Sequence, residues 1–179
     1  MNDPNSKEHW DEKWETSSDS YLADHQVMYS VVRPFMKGQV IDLGCGNGFI
    51  GHDIGERYAG IDLSEEGIKQ AKGYNSKANL VVGDARNTPF ADRSADTVLL
   101  LAVVEHFLNY NAILLEAQRL CRGRIIMTLP YHSRGSEHYH PHFSIQKVVN
   151  TMSYLGEIVE YRLVAHPKGK WVLVVIEVE

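Results

Sequence analysis

Short runs of β-branched and aliphatic residues recur near positions 39–43, 58–62, 79–83, 95–101 and 123–129, and they read as strands. Between them apolar positions fall at helical spacing, which predicts helices near 48–56, 65–73, 111–121 and 144–155. Ser64 stands at the N-cap of the second of these, with Glu65 and Glu66 in its first turn, where carboxylates favour the positive end of a helix. In the third, Ile113, Leu114, Ala117, Leu120 and Cys121 make a core-facing stripe. Strand and helix alternate, so the expected fold is α/β, a doubly wound and mostly parallel sheet with right-handed crossovers. Ahead of it, residues 8–16 put Trp10 and Trp14 on one helical face, and residues 23–36 form a second helix ending around Pro34. Alternation stops near the end of the chain. Residues 157–164 and 171–176 are β-rich, and the connector 166–170 carries Pro167 and Gly169 with no helical pattern, so an antiparallel hairpin is expected to close the sheet.

The first strand runs into a glycine turn: Val40-Ile41-Asp42-Leu43-Gly44-Cys45-Gly46-Asn47-Gly48. Three glycines in five positions permit positive φ and let a ligand lie against bare backbone. Gly-x-Gly-x-Gly alone is common among nucleotide-binding turns, but Asp42 narrows the choice. A carboxylate there repels a dinucleotide's pyrophosphate, whereas it can pair with a cationic amino-acid group.

This segment resembles the first motif of the class I S-adenosylmethionine-dependent methyltransferases. Tyr58-Ala59-Gly60-Ile61-Asp62-Leu63-Ser64 is similar to that family's second strand, whose terminal acid binds ribose hydroxyls. Leu80-Val81-Val82-Gly83-Asp84-Ala85 resembles the third, whose acid lies beside the adenine amino group, and Ser94-Ala95-Asp96-Thr97-Val98 through Val104-Glu105-His106-Phe107 resembles the fourth strand and its turn. The resemblance covers roughly residues 38–130. It implies a seven-stranded sheet of order 3-2-1-4-5-7-6 and S-adenosylmethionine as cofactor. It also implies a cofactor site made of Asp42, Gly44, Cys45, Gly46, Asp62, Leu63, Asp84, Ala85 and Ala102. On this reading the 179 residues form one methyltransferase domain: a helical arm or lid over 1–37, a cofactor-binding core over 38–130, an acceptor-side loop over 131–143, and a helix with the closing hairpin over 144–179.

Composition narrows the partners. Net charge is −5 with basic residues scattered singly, which argues against a phosphate-backbone partner and for a small-molecule acceptor. Cys45 and Cys121 stand far apart in a cysteine-poor chain, so both are expected to be small buried residues rather than a disulfide or zinc site. No stretch approaches the length of a membrane span and the first residues lack a secretory apolar core, so a soluble cytoplasmic protein is expected.

Histidine is the unusual feature. His132, His138, His140 and His142 all fall in the loop after the fifth strand, which in the family overhangs the acceptor pocket. Histidine suits proton transfer near neutral pH, so His106, His138, His140 and His142 are the candidate catalytic residues for an acceptor that must lose a proton. His138, His140 and His142 alternate along an extended segment. With Glu137, Glu105 and His106 they offer a nitrogen and oxygen donor set. The turn after the fourth strand is similar to the Glu-x-x-Glu-His element of metal-dependent methyltransferases that modify RNA 3′ ends, but Ala102 stands where the first glutamate belongs, and no metal ligand is assigned. Glu105-His106 also recurs in family members of many specificities, and so marks the fold first. The expected activity is methyl transfer to an oxygen or nitrogen of a small molecule. Alternatives are an RNA or protein methyltransferase, metal-assisted or not, and a non-catalytic cofactor-binding subunit.

Overall fold

The computed structural model describes residues 5–16, 19–131, 138–140, 142–166 and 169–179. Two helices, α1 (Lys7–Thr16) and α2 (Asp19–Val32), precede the sheet. Then come β1 (Val40–Leu43), β2 (Tyr58–Asp62), α3 (Glu65–Tyr74), β3 (Asn79–Val82), β4 (Ala95–Leu101), α4 (Asn111–Leu120), β5 (Cys121–Pro130), α5 (Ile145–Met152), β6 (Glu157–His166) and β7 (Gly169–Glu177). The seven strands form one sheet of order β3-β2-β1-β4-β5-β7-β6. β1 pairs in parallel with β2 and β4, and β4 with β5, while β7 runs antiparallel between β5 and β6. The expected order and closing hairpin are both present.

The apolar runs follow from position. β1 is buried along its whole length because helices cover both faces, so it needs no polar alternation. On one face Ile41, Leu43, Val98, Leu100, Ile125 and Met127 pack against the α4 stripe, in which Ile113, Leu114, Ala117 and Leu120 are fully buried. Each such side chain contributes roughly 1.5–3 kcal/mol. On the other face Val40, Tyr58, Leu99 and Ile126 meet Val32, at the end of α2, together with Ile50 and Ile54. Ser64 caps α3, its Oγ accepting from the Gly67 N–H at 3.0 Å.

Three expectations need correction. Residues 48–56 are not an α-helix but two single 3₁₀ turns, Phe49–Gly51 and Gly55–Arg57. Gly48 enters in the left-handed region at φ 65°, and the Asn75 side-chain amide donates to the Gly51 and Gly55 carbonyls at 2.9 Å each, taking acceptors a helix would have used. α2 starts at Asp19 rather than 23 and gives way at Arg33–Phe35 to one 3₁₀ turn containing Pro34, which cannot donate to continue the helix. Cys121 is the first residue of β5, not the last of the helix, because α4 passes into the strand with no loop. Pro167 and Lys168 of the hairpin connector lie outside the described residues. Among those described, no helix is long and apolar enough to cross a membrane.

Candidate functional site

All parallel strands end at one edge of the sheet, and the order reverses between β1 and β4, where α/β sheets leave a crevice. A cavity of about 790 Å³ lies there. Its floor is the glycine turn. The Gly44 and Cys45 N–H groups donate to the Ile61 carbonyl at 2.8 and 3.0 Å, fastening the turn to β2. Gly46 sits at φ 51°, and a Cβ there would collide with the Trp14 indole. Cys45 is half-buried on the wall rather than in the core, while Cys121 is buried as expected.

Asp62 organises this floor. One carboxylate oxygen accepts the Gly46 N–H at 2.7 Å and the other the Ser64 N–H at 2.9 Å, so one side chain ties the turn to the start of α3. Burial pushes its carboxyl up against those two hydrogen bonds. Leu63 and, from the loop after β3, Asp84 and Ala85 continue the wall. Arg86 holds Asp84 through the Nε and Nη2 of one guanidinium edge at 2.6–3.0 Å, which keeps the carboxyl below its usual range, and also lies over the Phe107 ring. Ala102 closes the β4 end at φ 54°, a conformation side chains rarely adopt. Its N–H is held between the Thr128 carbonyl and Oγ1, each at 3.1 Å. All nine residues expected at a cofactor site thus line one cavity.

Asp42 differs from the other acids. It is 2% exposed, and its Oδ2 accepts the Tyr58 O–H at 2.6 Å. Its Oδ1 has no partner among the described residues. Burial pushes its carboxyl up to about 7, with Tyr58 pulling down and Asp62 adding to the rise.

The arm roofs the cavity. α1 is fastened through Asp11, which accepts from Ser64 Oγ at 2.6 Å and from the Glu66 N–H at 3.2 Å. Although burial opposes it, bonds from Lys7, Ser64 and Glu66 hold the Asp11 carboxyl at about 2. Trp14 covers the glycine turn and Trp10 stands edge-on to His106, ring centroids 4.8 Å apart.

The histidines separate into two groups. His106 and His138 line the cavity with ring centroids 4.8 Å apart, and with Glu105 their ligand-capable atoms all lie within 4.8 Å of one another. The Glu105 carbonyl accepts the N–H groups of both Tyr139 and His140, at 2.9 and 3.2 Å, pinning the loop to the turn after β4. His140 and His142 do not line the cavity. His140 donates from Nε2 to the Leu108 carbonyl at 3.2 Å and sits edge-on to Tyr110, while His142 Nδ1 bonds the Tyr131 carbonyl. The expected one-sided alternation fails because main-chain bonds at Glu105 and at Pro130, which accepts the Phe143 N–H, set the loop's path. His132 and Glu137 lie outside the described residues.

Sequence reasoning passed over His25 and Met28 of α2, Arg86 beside Asp84, and Lys170 and Trp171 at the start of β7. The last was within reach. Trp171 pairs with Pro130, and an antiparallel strand must begin where its parallel neighbour ends, at the ligand edge of the sheet.

A family model described as a methyltransferase domain matches residues 41–126. Norajmaline N-methyltransferase of Rauvolfia serpentina is 33% identical over 107 residues, covering 54% of this chain and 37% of that protein. A tRNA (carboxymethyluridine(34)-5-O)-methyltransferase of Saccharomyces cerevisiae is 35% identical over 85 residues, covering 44% and 30%. The chain therefore spans about a third of the length of these relatives. Among solved structures, the PH0226 protein of Pyrococcus horikoshii superposes with a TM-score of 0.71 at 22% identity, over 91% of this chain and 93% of that one.

Proposed function

We propose that this chain, which belongs to the class I S-adenosylmethionine-dependent methyltransferase family, transfers a methyl group to an oxygen or nitrogen of a small-molecule acceptor. The observation that carries the reading is the cavity in which Asp42, Asp62 and Asp84 surround the glycine turn while His106 and His138 face the same space. Its volume of about 790 Å³ is in the upper part of the usual range for ligand sites, roughly 300–1,000 Å³, and leaves room for an acceptor beside the donor. The acids fit the donor, because the spare Oδ1 of Asp42 suits a cationic amino-acid group. The division into arm, core, acceptor-side loop and closing hairpin belongs to the same proposal.

When bound, S-adenosylmethionine would supply a methyl carbon on sulfur open to in-line displacement by the acceptor, the C–S electron pair leaving with the sulfur. The chain's own part is alignment, exclusion of water and removal of a proton. Asp42, Asp62 and Asp84 hold the donor against the glycine turn. Trp10 and Trp14 roof the site. A ring nitrogen of His106 or His138 takes the acceptor's proton.

The direct test is calorimetry with S-adenosylmethionine, S-adenosylhomocysteine and NAD, followed by radiolabelled methyl transfer to metabolite pools, tRNA and peptides. Binding of the first two but not NAD, with label entering a small molecule, is the expected result. Folded protein that binds neither adenosyl compound defeats the proposal, and label entering tRNA alone overturns the acceptor class. One arrangement favours a second reading, metal-assisted transfer. Glu105, His106 and His138 present a carboxylate and two imidazoles, a donor set suited to divalent transition ions. Turnover abolished by a chelator and restored by added manganese or zinc would select it.

Asp62→Asn should raise the dissociation constant for S-adenosylhomocysteine about tenfold, the equivalent of about 1.4 kcal/mol. An amide has one acceptor oxygen where Asp62 uses two, so its NH₂ group would face the Gly46 or Ser64 N–H. Calorimetry against the parent chain measures it.

A further inference from the structure

Tyr58 is not on the cavity wall, yet it contacts Asp42, whose Oδ1 has no partner among the described residues. It opens β2 and is 1% exposed, its ring packed among Val32, Met36, Ile50, Ile54 and Leu99. A Cβ on Gly51 would collide with that ring, so the chain keeps a glycine where the tyrosine needs space. The β1–β2 register pairs Val40 with Tyr58 and Asp42 with Gly60, which puts Tyr58 and Asp42 two steps apart on one face. From there the phenol reaches Asp42 Oδ2 at 2.6 Å. A phenylalanine would fill the same apolar space, so packing alone does not account for the hydroxyl.

We propose that Tyr58 is a positioning residue for the donor: by holding Oδ2 of Asp42 it fixes the carboxylate with Oδ1 presented to the ammonium group of the bound S-adenosylmethionine. This rests on the function proposed above. The phenol also bears on the charge of Asp42. The titratable groups about that carboxylate are Tyr58 and Asp62 of β2 and Cys45 in the glycine turn, with Leu99 of β4 apolar opposite it and His25 of α2 lining the same cavity. Burial and Asp62 favour the neutral acid and Tyr58 favours the anion, so the carboxyl is balanced at about 7. Binding of an ammonium group should strengthen as pH rises through that value, and loss of the phenol should move the rise to higher pH.

The test compares the full chain with Tyr58→Phe by calorimetry, using S-adenosylmethionine and 5′-methylthioadenosine, which lacks the amino-acid moiety. The expected result is about tenfold weaker binding of S-adenosylmethionine, 5′-methylthioadenosine unchanged within about twofold, and a pH profile displaced upward. Asp42→Asn should weaken S-adenosylmethionine alike, and adding Tyr58→Phe to it should cost no more. Site-specific 3-fluorotyrosine at position 58, a stronger donor of the same shape, should displace the profile downward, which keeps the test open if phenylalanine disturbs folding. Equal weakening of both ligands, or a pH profile unmoved by either replacement, overturns the inference. A parent chain that binds neither ligand would instead refute the methyltransferase reading.

Discussion

Replacing His106 and His138 together by alanine should lower turnover of a hydroxyl acceptor by about 100- to 10,000-fold, roughly 3–5 kcal/mol of transition-state stabilisation, with S-adenosylhomocysteine bound within about twofold of the parent. A hydroxyl is a poor nucleophile until its proton leaves, and among the described residues of the turn after β4 and the loop after β5 these are the two histidines that line the cavity. Their neighbour Glu105 is fully buried and so fixed in place, and its carbonyl anchors the His138 loop through Tyr139 and His140. His140→Ala and His142→Ala are the contrasting pair. Their rings bond the Leu108 and Tyr131 carbonyls, so their loss should lower thermal stability more than kcat. Steady-state kinetics on the three variants checks the division. A double variant with parental kcat would show that the acceptor loses its proton elsewhere.

The legible parts of this chain are those whose chemistry is local. A glycine turn after a buried strand, an acid at the end of each of the next two strands, and a helix-free hairpin at the end each depend on neighbouring residues, and all are found where expected. What escaped is set by partners distant in sequence. Residues 48–56 carry a helical pattern, but Asn75 takes the Gly51 and Gly55 carbonyls and Tyr58 occupies the space beside Gly51. Asp42 was legible as an acid suited to a cationic group, but only the phenol sixteen residues away shows that half of it is already committed. The histidine loop was legible as a cluster, but alternation along an extended strand was the wrong guide. Main-chain bonds direct His138 to the cavity and the other two away from it. Arg86 was unmarked because nothing in Asp84-Ala85-Arg86 says that the guanidinium folds back onto the acid two residues before it.

Glu116→Ala should destabilise the fold by about 3 kcal/mol, the low end for removing one partner of a buried pair, because Arg119 keeps some access to solvent. Glu116 lies on α4 beside the apolar stripe, and it is 8% exposed and fully engaged. Its Oε1 accepts the Thr88 N–H at 2.8 Å and the Thr88 hydroxyl at 2.7 Å, and both oxygens accept from Arg119, at 2.6 and 2.8 Å. Arg119 in turn donates to the Phe90 carbonyl at 2.9 Å. This network anchors the segment that follows Asp84 and Arg86 onto α4, so its loss should also loosen one wall of the cavity. At roughly 2–4 °C per kcal/mol for a chain of this size, a melting temperature about 6–12 °C lower is expected by calorimetry. Burial pushes the Glu116 carboxyl up, but Arg119 and Thr88 outweigh it and hold it below its ordinary value. A carboxyl depressed in the folded state adds stability above its unfolded pKa, and that stability disappears as pH falls through the folded value. Glu116→Gln should therefore weaken the fold at neutral pH and flatten the acid limb of its stability curve. A parent and variant whose difference stayed constant from neutral pH down to about 3 would place the Glu116 contribution outside its charge.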